Sequence, residues 1–240
     1  MSVLKKSIAS IVEENFVYAR ALHYLGIDFF ENEHKTLTQV CAERGISRQK
    51  MIKCFYDFDN NKRCSFSELS RYPVDLLLEY LKHSHHLFIK EKLPYISHLL
   101  NSLKTSSAND LKSIFPVFVE DFIKHIYEEE DKLFEYVSVL SRIRQKRIAN
   151  PMSEMMQFKN LSLESIRVEH DNDDEMVNMR ELIEELPVTE LHTKVIVDEL
   201  KAFDREILYH AEIENEILFP KAIILETEIL EKMARLSRLN

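Results

Sequence analysis

Two glycines, Gly26 and Gly45, are all that the 240 residues contain. That scarcity excludes the loops that cradle nucleotide phosphates, and no G-x-G-x-x-G, P-loop or G-x-S-x-G elbow occurs. The three cysteines, Cys41, Cys54 and Cys64, are odd in number and form no C-x-x-C pair. Neither a disulfide framework nor a thiolate zinc site is expected, and a reducing cytoplasm fits. Basic charge is also short: the formal net charge is -9, which argues against nucleic acid, because phosphate binding needs a basic face. The cluster Arg142, Arg144, Lys146 and Arg147 ends a predicted helix, where cations favour the helix dipole. No apolar run reaches the roughly 18 residues of a membrane helix. The first apolar stretch is broken by Glu13, Glu14 and Asn15, so it does not read as a signal peptide. A soluble cytoplasmic protein is expected, without nucleic acid or membrane as partner.

What remains, 45% hydrophobic and 30% charged residues with few turn signals, suits an all-α protein with one substantial core and a small accessory unit. Residues 1–58 read as a small helical module. Its first helix runs from about Leu4 to Tyr24 and stops near Gly26. A second opens on the capping box Thr36-Leu-Thr-Gln39 and closes before Gly45, and a third follows Ser47. Residues 59–73 lack a sustained period and read as a linker. Residues 74–240 carry four longer helices, at about 74–104, 110–148, 161–186 and from Thr189 onward. Pro94 is expected to kink the first, Asn150 and Pro151 to end the second, and Pro220 to interrupt the last.

Two stretches of these helices repeat one another. His125 is followed by Glu129 and Phe134, and His210 by Glu214 and Phe219, at the same offsets. On a helix each His and Glu share a face, one turn apart. That face is the apolar one. Ile196, Leu200, Phe203 and Ile207 lead in steps of three and four through His210 and Glu214 to Ile217. Leu111, Phe115, Phe118 and Phe122 lead likewise through His125 and Glu129 to Leu133 and Tyr136. Burying a carboxylate without a partner costs several kcal/mol, so a chain that does this twice must neutralise the charge. A cation would do so; a buried His/Glu ion pair in each turn is the plainer alternative.

Two more histidines fall on inward positions. Stepping back from Leu93 and Ile89 lands on His86, and Leu163 and Ile166 lead to His170. His125 lies 39 residues after His86, and His210 lies 40 after His170, so the bundle reads as two copies of one helical hairpin. Four imidazoles and two carboxylates at one level suit two divalent borderline metals, each with two histidines, both glutamates bridging. Oxygen-seeking calcium or magnesium would use other ligands. His83 and His85 read as a solvated face near the mouth of such a site, Tyr127 and Tyr209 as packing residues, and Asp171 as a group that could orient an imidazole.

The segments His85 to Pro94, His125 to Phe134, Glu169-His170-Asp171 and His210 to Pro220 resemble the hemerythrin-like cation-binding domain. More specifically they resemble the bacterial repair of iron centres, or iron–sulfur cluster repair, proteins. The resemblance implies a hemerythrin-like four-helix bundle with two iron ions and an oxo or hydroxo bridge, manganese or zinc remaining open. Its ligands carry over to His86, His125, Glu129, His170, His210 and Glu214. His86 is favoured over His85 by its distance from Pro94 and its place on the stripe. The implied partners are a small diatomic gas or peroxide and damaged iron–sulfur proteins, with a homodimer left open. Leu25-Gly-Ile-Asp28-Phe and Lys35-Thr-Leu37 resemble that family's amino-terminal domain. The adjacent cysteine pair expected there is replaced by Phe30-Glu31, or Phe29-Phe30 in the neighbouring frame. The implied function is repair of iron centres damaged by nitrosative or oxidative stress, with oxygen or nitric oxide binding as the alternative.

Overall fold

The computed structural model describes residues 3–60, 63–103, 108–170, 174 and 176–237. The protein is all-helical, with 81% of it in helices and no strand among the described residues. By compactness the chain forms two units, Met1–Arg63 with Glu91–Pro116 and Asn178–Asp204, and Cys64–Lys90 with Val117–Val177 and Arg205–Asn240. Both are discontinuous in sequence, whereas the division expected from the chain order was 1–58, 59–73 and 74–240.

The amino-terminal helices are α1 (Ile8–Glu14), α2 (Val17–Tyr24), α3 (Phe29–Asn32), α4 (Leu37–Glu43) and α5 (Arg48–Asp59). The expected helix from Leu4 to Tyr24 is in fact two. Asn15 is extended, at φ -153 and ψ 108, and its Oδ1 accepts the Val17 N–H, so the side chain that ends α1 starts α2. The other local signals act as read. Thr36 and Gln39 form a reciprocal capping box on α4, and Ser47 Oγ accepts the Lys50 N–H at the head of α5. Gly26 and Gly45, at φ +71 and +64, supply the left-handed residues that stop α2 and α4. In the first unit Tyr18 stacks on Phe55, and α1, α2, α4 and α5 pack around Ile11, Leu22, Val40 and Met51.

The remaining helices are α6 (Phe66–Leu69), α7 (Val74–Leu87), α8 (Leu93–Ser102), α9 (Asn109–Glu129), α10 (Glu135–Arg144), α11 (Pro151–Gln157), α12 (Leu163–His170), α13 (Val177–Glu185), α14 (Leu191–Ile213) and α15 (Phe219–Ser237). Three joints between them are single π-helical turns: Phe88–Lys92 between α7 and α8, Glu130–Phe134 between α9 and α10, and Glu214–Leu218 between α14 and α15. Such a turn holds one residue more than an α turn. Pro94 and Pro220 fall in the first turns of α8 and α15, where a missing N–H is tolerated, so α15 runs on past Pro220 rather than breaking there. The helix expected to reach residue 148 ends at Arg144, because Lys146 adopts φ +59 and the Arg147 N–H bonds back to the Arg142 carbonyl. Asn150 and Pro151 open α11 instead of closing the preceding helix.

In the second unit α7, α10, α12 and α15 pack as a helical bundle around one apolar core that includes Leu81, Phe134, Leu140, Leu163, Leu218 and Phe219. None of the described helices is long and apolar enough to cross a membrane.

Candidate metal centre

The buried histidines and glutamates of the second unit, His85, Glu129, His210 and Glu214, lie within or just before π turns. α9 delivers His125 and Glu129, the last residue before one turn. α14 delivers His210, and Glu214 opens the next turn. α12 ends on His170. Glu129, His210 and Glu214 are buried, Glu214 to 1% exposure, while His125 and His170 are partly exposed.

The fourth histidine is His85, not His86. His85 is 2% exposed, whereas His86 faces solvent. The wide turn is the reason. Below it the buried series is Leu78, Leu81, His85 and Phe88; above it the series resumes at Leu93 and Ile96, a step of five across the π turn. Counting back from Leu93 in α-helical steps passes over the added residue and arrives one position late, at Ile89 and His86. With His85 in place the symmetry improves, since His85 precedes His125 by as many residues as His170 precedes His210.

The side chains form two overlapping sets. Donor atoms of His85, Glu129, His210 and Glu214 lie within 4.8 Å of one another, and so do those of His125, Glu129 and His170. Glu129 belongs to both. His170 Nε2 also lies 3.2 Å from Glu214 Oε2, so each carboxylate reaches histidines of both sets. Glu129 Oε2 is 3.4 Å from His85 Nε2, and Glu129 Oε1 is 3.5 Å from His170 Nε2. His210 Nε2 is 3.0 Å from Glu214 Oε1, but the contact lacks hydrogen-bond alignment, and both atoms are buried without an aligned hydrogen bond, as is Glu129 Oε1.

Those orphaned atoms test whether a metal fits. Buried polar atoms are normally hydrogen-bonded; here imidazole nitrogens and carboxylate oxygens converge without making the bonds open to them. A divalent cation would use these lone pairs, and imidazole with carboxylate is a donor set for borderline transition metals. The residues fit.

Without a cation the site settles its own charge. Burial works against a protonated His170, but the Glu129 and Glu214 carboxylates outweigh it and push the imidazole up to about 11. Burial likewise opposes a charged His85, and Glu129, Glu214 and Glu130 together raise it. Burial would raise the Glu214 carboxyl, yet His210 and His170 hold it well below its usual range. The ion pair within one turn forms at His210 and Glu214, whereas Glu129 pairs with His85 and His170 from other helices; the unaligned atoms show what these pairs leave undone.

The rings are held from outside. Phe134 stacks on His85, and Phe219 packs edge-on against His170. Glu130 Oε1 lies 2.8 Å from His85 Nδ1, and Asn215 Oδ1 lies 3.1 Å from His170 Nδ1. Sequence reasoning passed over Glu130 and Asn215, although each directly follows a glutamate of the cluster. Among the donors is a small cavity of about 20 Å³, lined by the four histidines and both glutamates and closed on its other side by Phe88, Phe122, Ile126 and Ile207.

Of the lesser sequence candidates, His83 and Tyr127 are exposed, Tyr209 donates to the Cys64 carbonyl, and Asp171 lies outside the described residues. In the first unit His98 pairs with Asp28 and His192 with Glu33, and Cys41 and Cys54 are free thiols, as is Cys64 in the second.

Comparison with protein-family models, with curated proteins and with solved structures returns no match.

Proposed function

We propose that this is a non-haem di-metal protein, with one metal held by His85 and His210, the other by His125 and His170, and Glu129 and Glu214 shared between them. The observation that carries this reading is the sharing of Glu129 by two donor sets, one buried and one partly exposed. A single-metal site would leave ligands over.

The resemblance to the hemerythrin-like repair of iron centres proteins makes iron the metal and repair the function. In that reading the protein restores iron–sulfur or other iron centres damaged by nitric oxide or peroxide, by iron delivery. Two irons between imidazoles and carboxylates supply ferrous iron and a redox pair. The chain's own part is to gather the donors, exclude bulk water and keep the imidazoles aligned. Phe30 and Glu31, or Phe29 and Phe30 in the neighbouring frame, stand where a vicinal cysteine pair is expected; the proposed repair therefore rests on the metal centre rather than on paired thiols.

The small cavity among the donors favours one other reading, reversible binding or sensing of oxygen or nitric oxide, since Phe88, Phe122, Ile126 and Ile207 give it one apolar wall and its size suits a diatomic.

Loading with ferrous iron under anaerobic conditions tests the centre itself. About two irons per chain are expected, with a visible absorption after air exposure that Glu129→Ala abolishes; less than half an iron per chain would sink the proposal. Repair further requires that the iron form restore a nitrosylated cluster enzyme and that His125→Ala fail to do so. Gas binding requires a reversible spectral change instead.

A further inference from the structure

The two halves of the centre are built alike but not charged alike. Each ligand glutamate is followed by a residue that reaches across to Nδ1 of a histidine on another helix, and the span is 45 residues both times. In one half that residue is Glu130, in the other Asn215. An imidazole that ligates through Nε2 must carry its proton on Nδ1, and a fixed acceptor there selects that tautomer and ring orientation. A carboxylate also makes the imidazole a stronger donor and adds negative charge near the metal; a neutral amide only orients.

Enclosure differs in the same sense. The four residues around His85 and His210 are all buried, whereas His125 and His170, in the other set, are partly exposed. That second set also lines a wider cavity of about 200 Å³ with Lys132 and Glu128, which pair at 3.0 Å.

We propose that Glu130 and Asn215 are positioning residues that make the two metal positions unequal. The position held by His85 and His210 binds its metal more tightly and fills first. The position held by His125 and His170 is the exchangeable one, through which metal enters and leaves. This rests on the di-metal reading above and assigns a direction to it.

The experiment adds cobalt(II) without oxygen to the metal-free full chain, in competition with a chromophoric chelator, and follows the cobalt absorption bands. Wild type should bind in two steps at least about tenfold apart. Glu130→Gln, which keeps shape and removes charge, should weaken the first step by about 10- to 100-fold and leave the second within about threefold. Asn215→Asp should strengthen the second step, a gain that damaged folding cannot produce. Circular dichroism of each metal-free variant checks that the helices are retained. Two equal steps in wild type, or a Glu130→Gln change that weakens both steps equally or neither, overturns the inference while the di-metal reading stands. No cobalt bound by wild type would overturn both.

Discussion

The Phe134 ring lies parallel to the His85 imidazole, with centroids 5.3 Å apart and planes 4° from coincidence. Phe134 ends the π turn that begins just after Glu129, so one short stretch supplies a shared carboxylate, the acceptor for His85 Nδ1 and the surface on which that ring rests. Phe134→Ala should destabilise the metal-free chain by about 3–5 kcal/mol, because it empties a fully buried aromatic position. Urea unfolding measures that loss, and elemental analysis should show bound metal falling with it. A change under about 1 kcal/mol would mean that the ring is not a support.

His85 and His86 are adjacent, and only one faces the centre. His85→Ala should reduce bound iron to about one per chain or less, while His86→Ala should leave it near two. Elemental analysis on ferrous-loaded protein decides; the reverse pattern would restore the register expected from plain α-helical counting.

Metal binding should expel protons. In the metal-free chain His170 stays protonated up to about pH 11 and His85 is raised as well, so at neutral pH ligation displaces roughly one to two protons. Apparent affinity should therefore increase from pH 6 to pH 8, and calorimetry in buffers of differing ionisation enthalpy should show the release. Equal heats in all buffers would contradict it.

Stability of the metal-free chain follows from the same shifts. The folded pKa of His170 lies above the ordinary imidazole value of about 6.5, so its contribution is complete below that value and fades as pH rises toward 11. Glu214 is depressed below the ordinary carboxylate range, so its contribution is present above that range and fades on acidification through its lower folded pKa. Thermal melts should show loss at both ends. Bound metal should raise the melting temperature, with about 2.7 kcal/mol expected at a hundredfold excess over Kd, and Glu129→Ala should remove that gain.

The helical class and the inward stripes of α9 and α14 were legible because His125, Glu129, His210 and Glu214 all lie before the added residue of a π turn can shift their register. Local caps such as Thr36 with Gln39, and the glycine stops, were legible because their signals lie within a few residues. His85 was misread because the stripe was traced across a π turn, and nothing in Phe88-Ile-Lys-Glu-Lys92 announces one. The break at Asn15 and the early end at Arg144 depend on an extended asparagine and a left-handed lysine, conformations that composition alone does not reveal. Glu130 and Asn215 were hidden among acidic and polar neighbours, where a solvated face is the ordinary expectation.

The wide turn at Phe88–Lys92 also sets what the loss of one residue there would do. A π turn holds one residue more than an α turn, and Lys90 is exposed within it. Removing Lys90 would leave Phe88 four places before Leu93 and His85 seven before, the spacing of one face of an unbroken α-helix. A helix one residue shorter would therefore still carry His85 and Phe88 on the face that bears Leu93.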